Sequence, residues 1–534
     1  MIKNLALLTF SFEGGAVAKR FQDEGGKVVV GVIEDMKDIF LPMELDAMEK
    51  EGKDPSDEGK DGEKKKRLKS FEGMLEIYSA ESVIEFLKKQ DNKDEWFVFC
   101  DMNYTFKYAE QLAEFMPHGN FPTAEHRELE VDRDKAKQFI AKNYPDVSKD
   151  QHHEFSNIEE AKKFLETSDD VFVLKGDSLD APTVVPPTDD VETARQILIE
   201  ALEKNKQAYE AGGMILEVKL EDAVELTPEA MFYDGKLLCT NLDIETKRKY
   251  AGDVGGELVG CGTDLIIVTK PEDKLNQMAF PKIVNRLAED AKGLFIWDLS
   301  LLISKRTGKA YPGEFCANRP GWNAFMTEVE GLSVVKFFND IVAGKNPMEG
   351  KSFSGSLRVF NDGEDADVKV IYPPEIETSL SPMYVMAGKE GMTTTGYCAD
   401  TCIVTGHGNT FQSCCDDLYA KADKIALATK RWGYRSKGDF MDNSYGTSLV
   451  VRYNYAVEKG LITGYEPYLG TKSDAEFAKM KQEYEDALKK STQMFTDSLA
   501  DLKIHYEQKH TEEIARHEGE IKKLHERIDT ILAS

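Results

Sequence analysis

Two uninterrupted apolar runs near the N-terminus constrain the fold more than any other feature of the sequence. Residues 4–10 read NLALLTF and residues 27–33 read KVVVGVI. A glycine turn at Gly14–Gly15 and a segment of helical character separate the two runs. Strands that are apolar on both faces are typical of an open parallel sheet covered by helices. The order therefore predicts a strand–turn–helix–strand unit, and the run WFVFCDM at 96–102 continues the same sheet.

Length and charge limit the classes of protein to consider. The chain has 534 residues, so we expect three or more lobes. Acidic residues number 96 against 68 basic ones, and the net charge of −28 disfavours nucleic acid or an anionic membrane as the main partner. No apolar stretch approaches the roughly 20 residues of a membrane span. The first apolar run lacks the small-residue cleavage site of a secretion signal, so we expect a cytoplasmic protein.

The cysteines also indicate a reducing compartment such as the cytoplasm. The sequence contains eight of them, scattered and mostly inside apolar runs, where a reduced thiol behaves as a small hydrophobic group. Four could instead be interpreted as a metal site: Cys398, Cys402, Cys414 and Cys415. Their spacing fits no usual zinc pattern, and adjacent cysteines rarely bind one metal together, so we favour free thiols.

Shifts in composition predict the domain organisation. Residues 43–69 contain few large apolar side chains and many charges, which indicates a mobile surface insertion in the first domain. Glycine and proline cluster at 345–355, marking a boundary before a smaller α+β domain. The predicted divisions are an N-terminal α/β domain at 1–122, a second α/β region at 123–345, a C-terminal domain at 350–465 and an amphipathic helix at 470–534.

The C-terminal segment has the pattern of a coiled coil. Apolar residues recur at three- and four-residue steps between charged positions. They are Ile514, Ile521, Leu524, Ile528 and Ile531. A stripe this narrow suits one partner helix, which could be a second copy, another protein, or the segment Phe477–Tyr506 folded back as a hairpin. The sequence between the two segments has no glycine or proline to form a turn, so we favour self-association into a homo-oligomer.

The middle of the chain offers groups suited to binding a triphosphate. Lys175 ends an apolar strand beside a turn, from which its ammonium group could reach a phosphate. Lys247 and Arg248 precede five glycines between Gly252 and Gly262. Closely spaced glycines let main-chain N–H groups approach an anion. Either signal alone is weak, and their order along the chain is more informative.

Two acids in neighbouring apolar strands form the strongest candidate metal site. Asp298 lies in LFIWDLSLL and Glu314 in GKAYPGEFCAN, with a turn around Thr307–Gly308 between them. A hairpin can bring both carboxylates to one face, where we expect them within about 5 Å of each other. Burying an unpaired carboxylate costs several kcal/mol, so a cation partner is required. Magnesium is one such cation, and an ion pair with Arg306 or Arg319 is the alternative.

These segments, in this order, resemble the ATP-grasp superfamily, and within it the phosphoribosylamine–glycine ligases of purine biosynthesis. ETKRKYAGDVGGELVGCGT is similar to the family's basic pair and glycine-rich turn, and DLSLLISKRTGKAYPGEFCANRPG to its paired metal-binding strands. EVKLEDAVELTPEAMFYDGK resembles the strand whose backbone receives adenine. CIVTGHGNTFQSCCDDLYAKADKIALATKRWGYRSKGDF matches the family's last domain. The resemblance covers roughly residues 1–460 in scattered segments.

The resemblance implies an α/β protein with an ATP-grasp fold: an N-terminal open parallel-sheet domain, an ATP-grasp domain and a small C-terminal α+β domain. It implies an ATP-dependent ligase in which a carboxylate becomes an acyl phosphate and then an amide, with glycine and phosphoribosylamine as substrates. ATP and Mg²⁺ (or Mn²⁺) are the implied cofactors. The implied catalytic residues are Lys247, Arg248 and Arg319. The implied nucleotide-binding residues are Lys175, Glu217, Val218, Lys219, Leu220 and Glu225. The implied metal ligands are Asp298, Glu314 and Asn318.

Three departures from the family pattern keep alternative functions open. The first-domain turn, SFEGGAVAKR, lacks the Arg and His that the family places after its glycines for the ribosyl phosphate. The loop after Lys175 lacks the family's second lysine, and Asn318 follows Glu314 by four residues rather than two. One alternative is a ligase for a different amine. The other is an ATP-grasp scaffold with weak catalysis, whose C-terminal helix mediates assembly.

Overall fold

The chain divides into two compact units, Met1–Tyr468 and Leu469–Ser534. The computed structural model describes residues 1–50, 54, 62–144, 152–176, 181–188, 190–220, 223–252, 254–257, 262–280, 287–305, 308–320, 323–441 and 448–468. All of these residues belong to the first unit. The predicted helix at 470–534 and its apolar stripe lie outside the described residues, so the predicted self-association stays a prediction.

The N-terminal region contains the predicted parallel sheet. Its four strands are β1 (Asn4–Thr9), β2 (Lys27–Val32), β3 (Ile77–Ser79) and β4 (Trp96–Cys100). They are all parallel, in the order β3-β2-β1-β4. Five α-helices accompany them: α1 (Gly15–Asp23), α2 (Pro42–Lys50), α3 (Glu63–Leu68), α4 (Ala80–Lys88) and α5 (Phe106–Ala113). Every residue of β4 is buried, as the unbroken apolar run predicts.

The two described ends of the charged insertion are packed against the domain. Arg67 in α3 is fully buried, stacks on the ring of Phe10 at 3.7 Å, and donates to the main-chain oxygens of Phe10 and Glu34. Glu44 in α2 accepts a 2.8 Å hydrogen bond from Arg127. The N–H groups of each guanidinium bind carbonyl or carboxylate oxygens, and these hydrogen bonds offset the cost of burying its charge. These two ends are helical and packed, and the mobility of the segment 43–69 stays a prediction.

A three-stranded antiparallel sheet forms the next lobe. Its strands are β5 (His152–Phe155), β6 (Phe172–Gly176) and β7 (Met214–Val218), in the order β5-β7-β6. The helices of this region are α6 (Ala124–Val131), α7 (Arg133–Asn143), α8 (Ile158–Thr167), α9 (Val191–Lys204) and α10 (Lys206–Gly212). The lobe has its own apolar core, which includes Leu174, Leu198 and Leu216.

A nine-stranded sheet, antiparallel throughout, organises the rest of the described chain. Its strands are β8 (Ala223–Tyr233), β9 (Lys236–Thr246), β12 (Thr263–Thr269), β13 (Leu294–Ser304), β14 (Ala310–Ala317), β15 (Phe353–Asn361), β17 (Leu380–Pro382), β20 (Asp400–Gly408) and β22 (Trp432–Gly433). Their order is β14-β13-β8-β9-β12-β15-β20-β17, with β22 paired to β15. The boundary predicted near 345–355 falls between β12 and β15, which are neighbours in this sheet.

Short hairpins and helices complete the described part. The remaining strands are β10 (Arg248–Tyr250), β11 (Val254–Glu257), β16 (Val370–Ile371), β18 (Val385–Gly388), β19 (Gly391–Thr394) and β21 (Ala426–Leu427). The remaining helices are α11 (Lys274–Ala279), α12 (Asn323–Glu328), α13 (Val334–Val342), α14 (Phe411–Ala422), α15 (Lys437–Met441) and α16 (Leu449–Glu458). Within the described residues, the search for a helix long and apolar enough to cross a membrane finds none.

The two faces of the large sheet differ in chemistry. One face is mostly apolar and carries residues such as Leu226, Leu242 and Trp297. The other face is apolar only at one end, where Met231 and Ile296 join the core that includes the N-terminal sheet. Further along the same strands this second face becomes polar. Because side chains alternate between faces, the polar positions fall at every second residue.

The cysteines are consistent with the interpretation as free thiols. Cys398, Cys402, Cys414 and Cys415 are free, and Cys261 lies outside the described residues. Burial raises the pKa of the Cys402 thiol well above its ordinary value, which makes it unreactive. In the described part of the chain, no group of three close metal-binding side chains includes a cysteine.

Candidate active site

The polar half of the second sheet face carries carboxylates on five neighbouring strands. We call this set the carboxylate row. Its members are Glu314 on β14, Asp298 on β13, Glu229 on β8, Asp243 and Glu245 on β9, and Asp264 on β12. Glu245 stands directly opposite Asp264, and Asp298 directly opposite Cys316, which shares its face of β14 with Glu314.

Burial and mutual repulsion act together on the row. Asp264 is fully buried, and Glu229 and Asp243 are nearly so. Burial raises the pKa of Asp298 well above its ordinary value, and the charges of Glu229 and Glu245 raise it further. The pKa of Asp243 is raised in the same way, first by burial and then by the charge of Asp264. So many buried like charges are costly unless cations neutralise them.

A second acid from a helix joins the row at β8. The side-chain amide of Asn241 donates to Glu229 Oε1 at 3.1 Å and to Glu328 Oε1 at 2.7 Å. Glu328 comes from α12 and is hydrogen-bonded to Glu229. Burial raises the pKa of Glu328 to about 7 and that of Glu229 well above its ordinary value. Two carboxyl groups can share a hydrogen bond only if one is protonated, so this pair holds a proton.

The three predicted metal ligands lie at one edge of the row. Asp298 and Glu314 are on adjacent strands and the same face, but a register shift lies between Leu299 and Leu301. Their separation of about 5 Å stays a prediction. Asn318 follows β14 with a positive φ of 51°, and its side chain is fully buried. Among the described residues, neither amide atom of Asn318 has a hydrogen-bond partner.

Arg319 lies beside this edge of the row. Its guanidinium donates to Glu130 Oε1 at 2.5 Å, and its charge opposes the rise in the pKa of Asp298. Arg319 therefore offsets the charge of the predicted metal ligands only in part, because its guanidinium is hydrogen-bonded directly to Glu130. Arg306, the other proposed partner, lies outside the described residues.

The predicted nucleotide-binding strand sits in the three-stranded sheet. Lys175 on β6 forms an ion pair with Glu217 on β7, and Lys137 binds the same carboxylate. The strand ends at Val218, which is opposite Phe172. Lys175 therefore faces a carboxylate within the described structure, which a phosphate would have to displace.

The two residues that follow this strand also have main-chain partners. Lys219 N donates to Val171 O at 2.7 Å, and Lys219 Nζ donates to Pro186 O at 2.9 Å. Leu220 O accepts from Ala223 N at 3.5 Å. The backbone at 217–220 is therefore hydrogen-bonded to its own lobe at Lys219 and to the first residue of β8 at Leu220, and its contact with adenine stays a prediction.

The remaining predicted residues lie on the large sheet or its β10–β11 hairpin. Lys247 Nζ is 3.7 Å from Glu245 Oε1, and Arg248 Nη1 donates to Gly255 O at 2.9 Å. Glu225 accepts from Ser300 Oγ at 2.7 Å. The convergence of Lys175 and Lys247 on one cleft stays a prediction, and residues 177–180 and 258–261 lie outside the described part of the chain.

Sequence reasoning missed five acids of this site. They are Glu229, Asp243, Glu245, Asp264 and Glu328. A signal for the β9 acids was present, because NLDIE at 241–245 alternates polar and apolar residues at the period of a strand. Glu229 on β8, Asp264 on β12 and Glu328 on α12 gave no such signal, because their neighbours in the site come from distant parts of the chain.

Comparison with known proteins identifies the fold. No protein-family model matches the sequence, and no curated protein matches it. The structure is similar to phosphoribosylamine–glycine ligase from Thermotoga maritima, with a TM-score of 0.54 and 16% identity over 81% of this chain and 99% of that one. It is also similar to biotin carboxylase from Campylobacter jejuni, with a TM-score of 0.50 and 12% identity over 87% of this chain and 98% of that one. The chain therefore has the ATP-grasp fold, in a divergent form similar to phosphoribosylamine–glycine ligase.

Proposed function

We propose that the protein is an ATP-dependent ligase that activates a carboxylate and joins it to an amine. The carboxylate row is the observation that carries this proposal. Five neighbouring strands place acids on one face: Glu229, Asp243 and Asp264 are buried, Asp298 and Glu245 are half-buried, and Glu314 is exposed. The pKa values of Asp298 and Asp243 are raised first by burial and then by neighbouring acids of the row. A site for a magnesium–triphosphate complex explains why such a costly arrangement is built into the fold.

The residues at the β13–β14 edge fit a magnesium ion. Asp298 and Glu314 offer carboxylate oxygens from one face, and Asn318 offers a buried amide oxygen without a partner in the described part of the chain. Magnesium and manganese prefer oxygen donors of these kinds. A bound divalent cation would also lower the pKa of Asp298, because it would offset the repulsion from Glu229 and Glu245.

The cations assigned to the nucleotide and the reacting groups come from three places. Lys175 belongs to the three-stranded lobe, Lys247 and Arg248 follow β9, and Arg319 follows β14. In this proposal Lys175 contacts phosphate, and Arg319 stabilises negative charge on the carboxylate substrate. ATP, when bound, supplies the phosphoryl group that converts the carboxylate into an acyl phosphate. The backbone at 217–220 and Glu225 complete the proposed nucleotide site.

The similarity to the Thermotoga enzyme suggests a finer assignment. That protein is a phosphoribosylamine–glycine ligase, so glycine and phosphoribosylamine are the first substrates to test, with purine biosynthesis as the context. The residues that directly follow Gly14–Gly15 are not the Arg and His that the family places after its glycines, which favours a different amine as the second candidate. The substrates in either case are small molecules.

An ADP-release screen tests the proposal. Wild-type protein with ATP and Mg²⁺ is incubated with each amino acid in combination with ammonia, simple amines and phosphoribosylamine. We expect at least one pair to release ADP above the ATP-only background, and Asp298→Asn to abolish that release. Glu85→Gln is the matched control, because Glu85 is an exposed acid paired with Lys88 at 2.8 Å outside the site. ADP release that is equal in wild type and Asp298→Asn would contradict the proposal.

A further inference from the structure

Glu130 lies beside the β13–β14 edge of the carboxylate row. It is the last residue but one of α6 (Ala124–Val131), and its side chain is 11% exposed. Its Oε1 accepts a 2.5 Å hydrogen bond from the guanidinium of Arg319. Glu130 is therefore the direct partner of an arginine that the proposed function assigns to the reacting groups.

Charges of alternating sign lead from the charged insertion to Arg319. Glu44 on α2 accepts two hydrogen bonds from Arg127, at 2.8 Å and 3.4 Å. Arg127 Nη1 lies 4.0 Å from Glu130 Oε1, whereas the contact of the same oxygen with Arg319 is 2.5 Å. Because Glu44 binds the Arg127 guanidinium directly, Glu130 Oε1 makes its shorter and stronger contact with Arg319.

The other carboxylate oxygen of Glu130 is held as well. Asn103, just after β4, donates through Nδ2 to Glu130 Oε2 at 2.5 Å and to Ala317 O at 3.3 Å. Ala317 ends β14, two residues before Arg319. Since both oxygens have donors, the carboxylate has little freedom to turn, and it fixes the direction of the guanidinium that it binds.

Arg319 has other acids within reach if this partner is lost. Its Nη1 lies 3.9 Å from Cys316 Sγ, and Cys316 stands directly opposite Asp298 on β13. The charge of Arg319 already acts on Asp298, and the charge of Glu314 acts on Arg319. A guanidinium that turned toward these acids would bind the carboxylate oxygens that a divalent cation needs as ligands.

We propose that Glu130 is a positioning residue that holds Arg319 away from Asp298 and Glu314, so that these carboxylates stay available to a divalent cation. The inference rests on the proposed ligase function and deepens it, because it names a residue that controls the metal site without being one of its predicted ligands. The same hydrogen bond keeps Arg319 beside the metal-binding edge, where its charge can act on the carboxylate substrate.

Binding of Mn²⁺ to the full-length protein without nucleotide tests this inference, with the free ion measured by electron paramagnetic resonance. The site is identified as the binding that Asp298→Asn removes. Glu130→Gln replaces the carboxylate by a neutral group of the same size, so Arg319 should turn to the metal ligands. We expect the Kd for Mn²⁺ to rise at least fivefold.

A double variant separates this competition from general damage to the site. When Glu130→Gln is combined with Arg319→Gln, the competing cation is gone, and the Kd for Mn²⁺ should be no more than twice that of the wild type. Glu128→Gln is the matched control, because Glu128 lies on the same helix and pairs instead with Lys135 at 2.5 Å. It should leave the Kd unchanged.

Thermal unfolding shows whether each variant is folded. If Glu130→Gln is not, Glu130→Asp replaces it, since the shorter side chain keeps the charge but draws it back from Arg319. The Kd for Mn²⁺ should then rise at least twofold.

The possible results separate this inference from the proposed function. A Kd in the folded Glu130 variant equal to that of the wild type would overturn the inference. A double variant that binds Mn²⁺ as weakly as Glu130→Gln would also overturn it, because the loss would not come from Arg319. Both outcomes leave the ligase proposal standing as long as ATP binds with Mg²⁺. If the wild type shows no Mn²⁺ binding that depends on Asp298, the predicted metal site is wrong, and this inference with it.

Discussion

Glu229 on β8 and Glu328 on α12 form a hydrogen-bonded pair of carboxyl groups, and both side chains are almost completely buried. The amide of Asn241 donates to both acids, so one helix and two strands meet at this pair. Because one of the two groups must be protonated, the pair makes the stability of the fold depend on pH.

The first prediction concerns Glu328→Gln, which replaces the carboxyl group that accepts a hydrogen bond from Glu229 by an amide that does not titrate. The folded state raises the pKa of Glu328 from 4.5 to about 7, so between these values it binds more protons than the unfolded state. This proton binding stabilises the folded state fully below pH 4.5, and the stabilisation is lost as the pH rises to about 7. The free energy of unfolding of the wild type should therefore fall by up to about 3 kcal/mol relative to that of the variant between about pH 5 and about pH 8.

Urea unfolding of both proteins at several pH values measures this difference. The control is Glu85→Gln, an exposed acid that should give a curve parallel to the wild type across the same range. Parallel curves for wild type and Glu328→Gln would show that Glu328 does not titrate between about pH 5 and about pH 8.

The second prediction concerns Asp298→Asn. Removing this charge relieves repulsion from Glu229 and Glu245, so the variant should have a higher Tm than the wild type in the absence of metal. It should also lose a metal ligand, so turnover should fall about a hundredfold or more. Thermal unfolding with and without Mg²⁺ separates the two effects. A variant whose Tm rises with Mg²⁺ as much as that of the wild type would argue against Asp298 as a ligand.

The third prediction compares two lysines that bind the same carboxylate. Lys175 and Lys137 both pair with Glu217, but only Lys175 is proposed to contact phosphate. Lys175→Ala should weaken ATP binding by about tenfold, since it removes a cation facing phosphate. Lys137→Ala is the matched control and should stay within about twofold of the wild type. Equal losses in the two variants would mean that only the ion pair with Glu217 matters.

The sequence predicted the parts of the fold that local pattern determines. The apolar runs identified β1, β2 and β4, and the acids within apolar strands identified Asp298 and Glu314 as neighbours on one face. The pairing of strands that are distant in the sequence could not be predicted in this way. Nothing local indicates that Glu245 stands opposite Asp264, because strand register across the 246–263 connection decides it.

The charged insertion shows the same limit of local sequence pattern. Composition predicted that 43–69 would be mobile, since a segment with so few apolar residues cannot form a core of its own. Arg67 is nevertheless fully buried, because main-chain oxygens at the ends of neighbouring strands accept its N–H groups. Only the folded domain brings those oxygens together.

The fourth prediction concerns the second compact unit. Residues Met1–Tyr468 form a unit of their own, so a chain ending at Gly470 should fold and retain ADP release within about twofold. If the segment 470–534 mediates self-association, the truncated protein should also form assemblies of fewer chains than the full-length protein. Light scattering measures the mass of the assemblies and so the number of chains in each. Loss of turnover without a change in that number would place the segment in the active site instead.

The central claim is that the carboxylate row is built for ATP bound with divalent cations. Isothermal titration of the wild-type protein with ATP, in the presence of Mg²⁺ and then of EDTA, tests it most directly. We predict saturable binding with Mg²⁺ that weakens at least tenfold when the metal is removed, because the acids would then repel the triphosphate. No binding in either condition, or equal binding in both, would contradict the account.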